Sequence, residues 1–169
     1  MAPYPSSAGA IDLGIARLEP LKPEACPGLA AAIVVMEPWS VMQYPAERLA
    51  TFLVSPDQGV SHYCVSVQDV EAGVVSVRSP WLKGPYLELL ALLPPAQNRG
   101  IGSRILAWFE ETAIGQEARN LWVCASSFNG HALRFYARHG FRPAATLPGL
   151  VADGFEEILL RKFPIGKRP

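Results

Sequence analysis

The chain has 169 residues, half of them hydrophobic, and its 15 basic side chains balance 15 acidic ones. This length suits a single domain with one core, which we expect to span residues 1–169 with residues 1–10 flexible. The balanced charge gives no reason to expect nonspecific binding to nucleic acid. The apolar runs are too short for a membrane span, so we expect no membrane association.

The cysteines are odd in number and far apart, at Cys26, Cys64 and Cys124, and no two form a Cys-x-x-Cys pair. This pattern is typical of reduced cysteines in a cytoplasmic protein rather than of a disulfide framework. The three histidines also lack the spacing of metal ligands, so no metal is expected. The first nine residues contain no apolar stretch of the kind found in a secretory signal.

Hydrophobic periodicity and turn residues predict the elements of the first half of the chain. A strand is predicted over residues 11–18, a helix over 23–36 and a shorter helix over 45–54. Two strands, 62–67 and 72–77, are then predicted to pair across the polar residues between them.

An almost uninterrupted apolar run over residues 86–93, closed by Pro94-Pro95, predicts a buried strand. The loop 97–102 follows and carries one arginine and two glycines. A helix is predicted directly after it, because apolar residues then recur at helical spacing. Glycines allow a tight turn, and a helix N-terminus carries a partial positive charge. The sequence therefore predicts an anion cradle, most naturally for phosphate.

Three glycine-loop patterns compete for this loop. A P-loop is excluded because no Gly-Lys-Ser/Thr occurs in the chain, and Ile105 stands where a dinucleotide fingerprint needs its third glycine. The pattern Gln/Arg-x-x-Gly-x-Gly/Ala is satisfied by Gln97, Gly100 and Gly102. It resembles the pyrophosphate-binding signature of the GNAT superfamily of N-acetyltransferases. Taken alone, the hexapeptide also fits an ordinary strand-to-helix turn.

A second motif follows after one more predicted strand, over residues 119–125. Asn129 lies seven residues before Tyr136, on a helix that stops at Gly140-Phe141. This segment is similar to the Asn…Tyr…Gly-Phe segment that follows the cofactor loop in the same superfamily. Two motifs in this order and separation are far more specific than either one alone.

Two closing strands, near 141–147 and 155–163, complete the order β-α-α-β-β-β-α-β-α-β-β. This order matches the superfamily fold, which is α/β (α+β) with a mixed, mostly antiparallel central sheet and helices on both faces. The resemblance implies a single N-acetyltransferase domain. It is strong from about residue 86 to 163 and only architectural before that.

The resemblance implies acetyl-CoA as a cosubstrate. In the superfamily the strand before the loop splays from its neighbour, and the pantetheine arm lies in the gap. The backbone amide of Leu92 would then polarise the thioester carbonyl, and Arg99 would add charge near the pyrophosphate. The residues implied in binding are Leu90, Ala91, Leu92, Gln97, Asn98, Arg99, Gly100, Ile101, Gly102, Ser103 and Asn129.

Two residues of the second motif have roles implied by the resemblance. Tyr136 matches the tyrosine that donates a proton to the coenzyme A sulfur; the alternative is a tyrosine packed in the core with its hydroxyl toward water. Asn129 would bind the pantetheine or cap the following helix, and both roles stay open.

Glu88 is the candidate general base. It is a carboxylate within an apolar strand, on the same face as Leu92 if period two holds, and burial would raise its pKa. The strand also resembles that of the polyamine acetyltransferases, in which a glutamate acts as base. The alternative is a structural carboxylate paired with an arginine or lysine. Cys124 stands where the N-terminal-amine acetyltransferases carry a glutamate, and is expected to be a small buried hydrophobe rather than a nucleophile.

The expected activity is transfer of an acetyl group from acetyl-CoA to a primary amine of a small molecule or a peptide. Trp39, beside Glu37, and Trp81 are candidates for walls of the acceptor site, with packing as the alternative. Homodimers are common in the superfamily, and one is compatible with this chain. The alternatives are a coenzyme A-binding module without catalysis and transfer of a longer acyl group.

Overall fold

The computed structural model describes residues 9–164, so most of the segment expected to be flexible lies outside the described residues. The described chain forms eight strands and four α-helices. The strands are β1 (Ile11–Asp12), β2 (Arg17–Pro20), β3 (Val60–Val67), β4 (Val70–Trp81), β5 (Gly84–Leu92), β6 (Leu121–Ser126), β7 (Arg142–Pro148) and β8 (Glu156–Lys162). The helices are α1 (Cys26–Val34), α2 (Ala46–Leu53), α3 (Ile101–Gly115) and α4 (Gly130–Arg138).

All eight strands belong to one sheet with the order β1-β2-β3-β4-β5-β6-β8-β7. Every neighbouring pair is antiparallel except β5 and β6, which are parallel. The predicted mixed, mostly antiparallel sheet is therefore confirmed, as is the order of elements after the first strand.

The prediction of one strand over residues 11–18 was wrong, because the segment is a short hairpin. Gly14 takes the left-handed conformation, with φ at +81°, and its amide donates to Asp12 Oδ1 at 2.8 Å. Leu13 N also donates to Ala16 O across the turn, at 2.9 Å. A side-chain-stabilised turn of this kind leaves the hydrophobic alternation intact, so periodicity alone does not reveal it.

Strands β3 and β4 are longer than predicted and meet in a tight hairpin. Gln68 and Asp69, the two residues between them, both have positive φ, at 51° and 62°. This geometry matches the right-handed twist of the flanking strands, which pair up to Val67 and Val70 with one register shift between Val65 and Ser66.

Helices cover both faces of the sheet. On one face, α3 and α4 pack on a core that includes Ile105, Phe109 and Tyr136. On the other face, α1 and α2 contribute Ile33 and Leu49 to a second core. The two layers follow from the amphipathic patterns of the helices, since each buries one apolar stripe against the sheet.

The parallel strands β5 and β6 separate soon after they meet. Their paired positions are Tyr86 with Trp122 and Leu87 with Val123. Beyond these positions β5 continues to Leu92 while remaining paired only with β4 in the described sheet. A gap therefore opens between β5 and β6 toward the loop that precedes α3, which is the splay that the resemblance implied.

Candidate active site

Strand β5 contains a β-bulge at Glu88. Ser76 of β4 pairs with Leu89, whereas the next residue of β4, Val77, pairs with Leu87. Glu88 is therefore an additional residue between two paired positions. A bulge of this kind shifts the alternation of side chains along the strand.

The bulge corrects the expectation that Glu88 and Leu92 share a face. Leu92 packs against the core beneath α3 and α4. The Glu88 carboxylate instead accepts hydrogen bonds from Arg78, from Nε at 3.0 Å and from Nη2 at 3.3 Å. Arg78 also donates to Asp57, which follows α2 on the opposite side of the sheet. The structure thus shows Glu88 in an ion pair with Arg78, and its role as the general base stays a prediction.

The chain between β5 and α3 forms the predicted glycine loop. Gln97 Nε2 donates to the carbonyl oxygen of Leu92 at 2.8 Å, which ties the loop to the end of the strand. Asn98 and Gly100 have positive φ, at 56° and 79°. No side chain caps the N-terminus of α3. The amides of its first turn are therefore available to an anion, and the helix dipole favours one there.

Gly102 allows α4 to pack closely against the first turn of α3. A Cβ at this position would lie 3.1 Å from Phe135 Cζ, which is tighter than an ordinary contact.

The junction of α3 and α4 also contains a hydrogen-bonded histidine. The Oγ of Ser103 lies 3.1 Å from His139 Nε2, and His139 Nδ1 lies 2.9 Å from Phe135 O. Because a carbonyl oxygen only accepts, Nδ1 carries the proton, and in the neutral ring Nε2 accepts from the Ser103 hydroxyl.

A cleft of about 640 Å³ lies between the loop, the end of β5 and α4. Its lining residues are Met36, Glu37, Pro38, Trp39, Leu90, Ala91, Leu92, Pro94, Gln97, Asn98, Gly100, Ile101, Gly102, Ser103, Asn129, His131, Ala132, Phe135, Tyr136 and Arg138. The cleft thus brings together all of the predicted site residues except Glu88 and Arg99.

Arg99 points away from this cleft. Its Nη1 lies 3.4 Å from Pro95 O, and it lines a separate hollow of about 430 Å³ together with Arg17 and Asp69. The positive charge that the cleft itself receives comes from Arg138 on α4. Arg138 was not among the residues predicted from the sequence, although its spacing of seven from His131 places both on one face of the helix.

Tyr136 is buried, 6 % exposed, and lines the cleft from α4. Burial raises the pKa of its phenol well above the ordinary value, with a smaller contribution from the nearby Cys124 thiol. Burial also raises the pKa of Cys124 to about 11. The hydroxyl of Tyr86 is hydrogen-bonded to this thiol, and burial likewise raises the pKa of Tyr86. At neutral pH all three groups are therefore protonated.

Asn129 precedes α4 and caps it. Its Oδ1 accepts a hydrogen bond from Ala132 N at 3.0 Å, which satisfies one of the free amides of the first turn. The same side chain lines the cleft, so the cap does not remove Asn129 from the site.

Two kinds of site are absent from the part of the chain that the structure describes. Residues 9–164 contain no group of three or more histidine, cysteine, aspartate or glutamate side chains that could hold a metal ion. None of the helices in that range is long and apolar enough to cross a membrane.

The site combines three features: a parallel strand pair that splays toward a glycine loop, an uncapped helix behind the loop, and a protonated tyrosine opposite. Together they define an acyltransferase domain. Comparison with known families agrees with this class. Residues 29–141 match the family model of the acetyltransferase (GNAT) family. The chain belongs to this family, and the resemblance stated from the two motifs is confirmed.

Solved structures agree on the fold. A GNAT family acetyltransferase from Elizabethkingia anophelis with acetyl-CoA bound is 15 % identical, with a TM-score of 0.67 over 89 % of this chain and 99 % of that one. An acetyltransferase from Thermus thermophilus is 20 % identical, with a TM-score of 0.67 over 90 % and 99 %.

An acetyltransferase from Salmonella typhimurium that modifies the N-terminal serine of ribosomal protein L7/L12 is 17 % identical, with a TM-score of 0.71 over 92 % and 99 %. At these identities the structures show a shared fold alone. Among curated protein sequences there is no significant match.

Proposed function

We propose that the protein is a cytoplasmic N-acetyltransferase that moves an acetyl group from acetyl-CoA to a primary amine. The observation that carries this proposal is the position of Tyr136, a buried and protonated phenol in the wall of the cleft that the loop 97–102 closes. Three cysteines without disulfide partners support a reducing compartment.

The residues present fit acetyl-CoA. The amides at the start of α3 suit its pyrophosphate, and Arg138 adds charge at the same end of the cleft. Between Leu90 and Leu92 the edge of β5 that faces β6 has no strand partner in the described sheet, so it suits an extended arm with amide groups. Bound there, acetyl-CoA supplies an activated acyl group as a thioester.

The transfer involves two proton transfers that the protein must assist, one away from the amine and one to the leaving sulfur. An alkyl ammonium with a pKa of about 10 is almost wholly protonated at neutral pH and must lose a proton before its nitrogen can attack. The leaving sulfur must then receive a proton, and Tyr136 supplies it. Its phenol donates to the sulfur as the acyl–sulfur bond breaks and offsets the negative charge that develops there.

The proposed acceptor is a small-molecule amine or a peptide amine. Glu37 and Trp39 line the same cleft, and a carboxylate beside an indole suits a cationic amine. One structural neighbour modifies the N-terminal serine of a protein, which makes a peptide amine a reasonable member of the test panel. Nucleic acid and membrane lipid are not part of the proposal.

The test is release of free thiol from acetyl-CoA across polyamines, amino sugars, aminoglycosides and N-terminal peptides. Saturable release with one class would establish the activity and identify the acceptor. Binding of acetyl-CoA without release on any amine would favour a non-catalytic coenzyme A-binding module. If free thiol were released only from a longer acyl-CoA, such as succinyl-CoA, the transferred group would be that longer acyl group rather than acetyl.

A further inference from the structure

A second carboxylate, which was not among the site residues predicted from the sequence, lies buried near the gap between β5 and β6. Glu157, on β8, is 5 % exposed. It pairs with Ser126 of β6, whose Oγ donates to Glu157 Oε1 at 2.7 Å. None of the ion pairs among residues 9–164 involves this side chain. A buried carboxylate held by one neutral hydrogen bond and no cation is uncommon in a purely structural role.

The register of β6 places this carboxylate beside the gap. Cys124 and Ser126 lie beyond the two positions at which β6 pairs with β5, and they share one face of the strand. Glu157 therefore projects next to Cys124, and its charge contributes to the raised pKa of that thiol. Tyr136 also interacts electrostatically with the same thiol. The carboxylate and the proposed proton donor thus both lie near Cys124.

The surroundings of Glu157 contain few other charges. From β6 the nearby titratable group is the Cys124 thiol, and β7 places Leu147 at the paired position. The segment between α1 and α2 contributes Met42, whose Sδ lies 4.0 Å from Ser126 Oγ. That segment also carries Trp39, which lines the cleft. Neither Glu157 nor Ser126 lines the cleft itself, but the contact of Ser126 with Met42 connects Glu157 to the segment that carries Trp39.

Glu88 is less suited to accept a proton. Both of its carboxylate oxygens already accept hydrogen bonds from Arg78, so an amine proton would have to compete with the guanidinium for them. Glu157 has no such cationic partner among residues 9–164, and burial raises its pKa, an effect that the Ser126 hydroxyl only partly offsets. A carboxylate with a raised pKa is a stronger base than an ordinary one and accepts a proton more effectively.

We propose that Glu157 is the general base that deprotonates the acceptor amine, directly or through one water, with Ser126 as its positioning residue. This inference rests on the proposed function. The ammonium gives one proton to Glu157, and the free nitrogen forms the new N–C bond as the C–S bond breaks with its electron pair on sulfur. The second N–H proton reaches the sulfur through Tyr136, and Glu157 releases the first proton to solvent.

The test compares Glu157→Gln with Glu156→Gln. Both changes remove one carboxylate from β8, but Glu156 is exposed and has no assigned role, so its variant is the matched control. Gln keeps an oxygen that can accept from Ser126, which protects the fold. We expect kcat/KM at pH 7 to fall by about 100-fold or more in Glu157→Gln and to change by less than about threefold in the control. Binding of acetyl-CoA, measured by calorimetry, should match wild type in both.

The pH profile separates a base from a structural carboxylate. Without the base only amine already neutral in solution reacts, so kcat/KM of Glu157→Gln should rise about tenfold for each pH unit up to the amine pKa. Wild type should instead level off above the pKa of Glu157. Ser126→Ala should lower kcat/KM by a smaller factor and raise the pH at which the profile levels off, because it removes a hydrogen bond to the ionised form.

The outcomes separate the two proposals. If wild type is active and Glu157→Gln keeps both its rate and the plateau of its pH profile, Glu157 is not the base. The proposed N-acetyltransferase activity would then still stand. Wild-type protein that binds acetyl-CoA but transfers to no amine would overturn both. Loss of rate with loss of acetyl-CoA binding in Glu157→Gln would identify a structural carboxylate and also overturn the inference.

Discussion

Arg78 holds Glu88 by two side-chain hydrogen bonds at the point where β5 bulges. The same guanidinium donates to Asp57 at 2.8 Å, so one arginine links the bulge to the segment that follows α2. This arrangement explains a carboxylate in an otherwise apolar strand without a catalytic role, because a paired carboxylate is tolerated where an isolated one is not.

Glu88→Gln tests this explanation. We expect kcat to stay within about threefold of wild type with an unchanged pH profile, and the free energy of unfolding to fall by about 1 kcal/mol, because the pair is partly exposed. Urea unfolding and steady-state kinetics measure the two effects. A large loss of rate confined to low pH, with stability unchanged, would instead make Glu88 the base.

Tyr136→Phe removes the proposed proton donor and keeps the packing of the ring. We expect kcat to fall by about 100-fold while the KM for acetyl-CoA stays within about threefold, since the hydroxyl acts on the leaving sulfur rather than on binding. Tyr44→Phe, outside the cleft lining, is the control and should keep full activity. An unchanged rate in Tyr136→Phe would leave Tyr136 as a packing residue.

The sequence predicted the elements from α1 onward because their signals are local. Apolar periodicity, prolines and glycines mark each helix and strand, and the loop before α3 has a pattern of its own. The bulge at Glu88 was not predictable, because it depends on how β5 pairs with β4. A period-two count along one strand therefore placed Glu88 and Leu92 together, whereas the register separates them.

Glu157 was missed for a related reason. In the sequence it is one of two adjacent glutamates at the start of a closing strand, and nothing local distinguishes it from Glu156. Only the pairing of β8 with β6 shows that Glu157 turns inward onto Ser126 while Glu156 faces solvent. The direction of Arg99 likewise depends on the path of the loop, which one residue pattern does not determine.

Gly100 immediately precedes α3 and Gly115 is its last residue, so Gly100→Ala and Gly115→Ala form a matched pair of substitutions. Gly100 has φ at +79°, so Gly100→Ala should lower the free energy of unfolding by about 1 kcal/mol and weaken acetyl-CoA binding by displacing the first-turn amides. A Cβ at Gly115 meets no atom within 4 Å, so Gly115→Ala should raise stability by about 0.5 kcal/mol. Calorimetric titration with acetyl-CoA should show weaker binding for the first variant only; equal affinities would argue against the cradle.

Asn129 allows its two open roles to be separated. Asn129→Ala removes the cap of α4 and should cost about 1 kcal/mol of stability, whereas Asn129→Asp keeps an oxygen for Ala132 N and should cost little. If Asn129 also donates to the pantetheine, both variants should raise the KM for acetyl-CoA, because neither retains the amide donor. A KM that rises only in the alanine variant would restrict Asn129 to capping.

Cys124 provides a pH-dependent prediction. Burial raises the pKa of its thiol to about 11, so at pH 7 only about one thiol in 10⁴ is ionised, and thiolate is the reactive form. Alkylation of Cys124 in the native protein should be slow at pH 7 and should accelerate about tenfold for each pH unit until the pH approaches that pKa. Mass spectrometry of the labelled peptide measures the rate at this site.

Cys124→Ala should keep kcat within about threefold, since a thiol held in its neutral form is a poor carrier for an acyl group. Fast labelling at pH 7, or an acetylated Cys124 peptide trapped during turnover, would show that the thiol reacts despite its burial and would replace direct transfer with a covalent route.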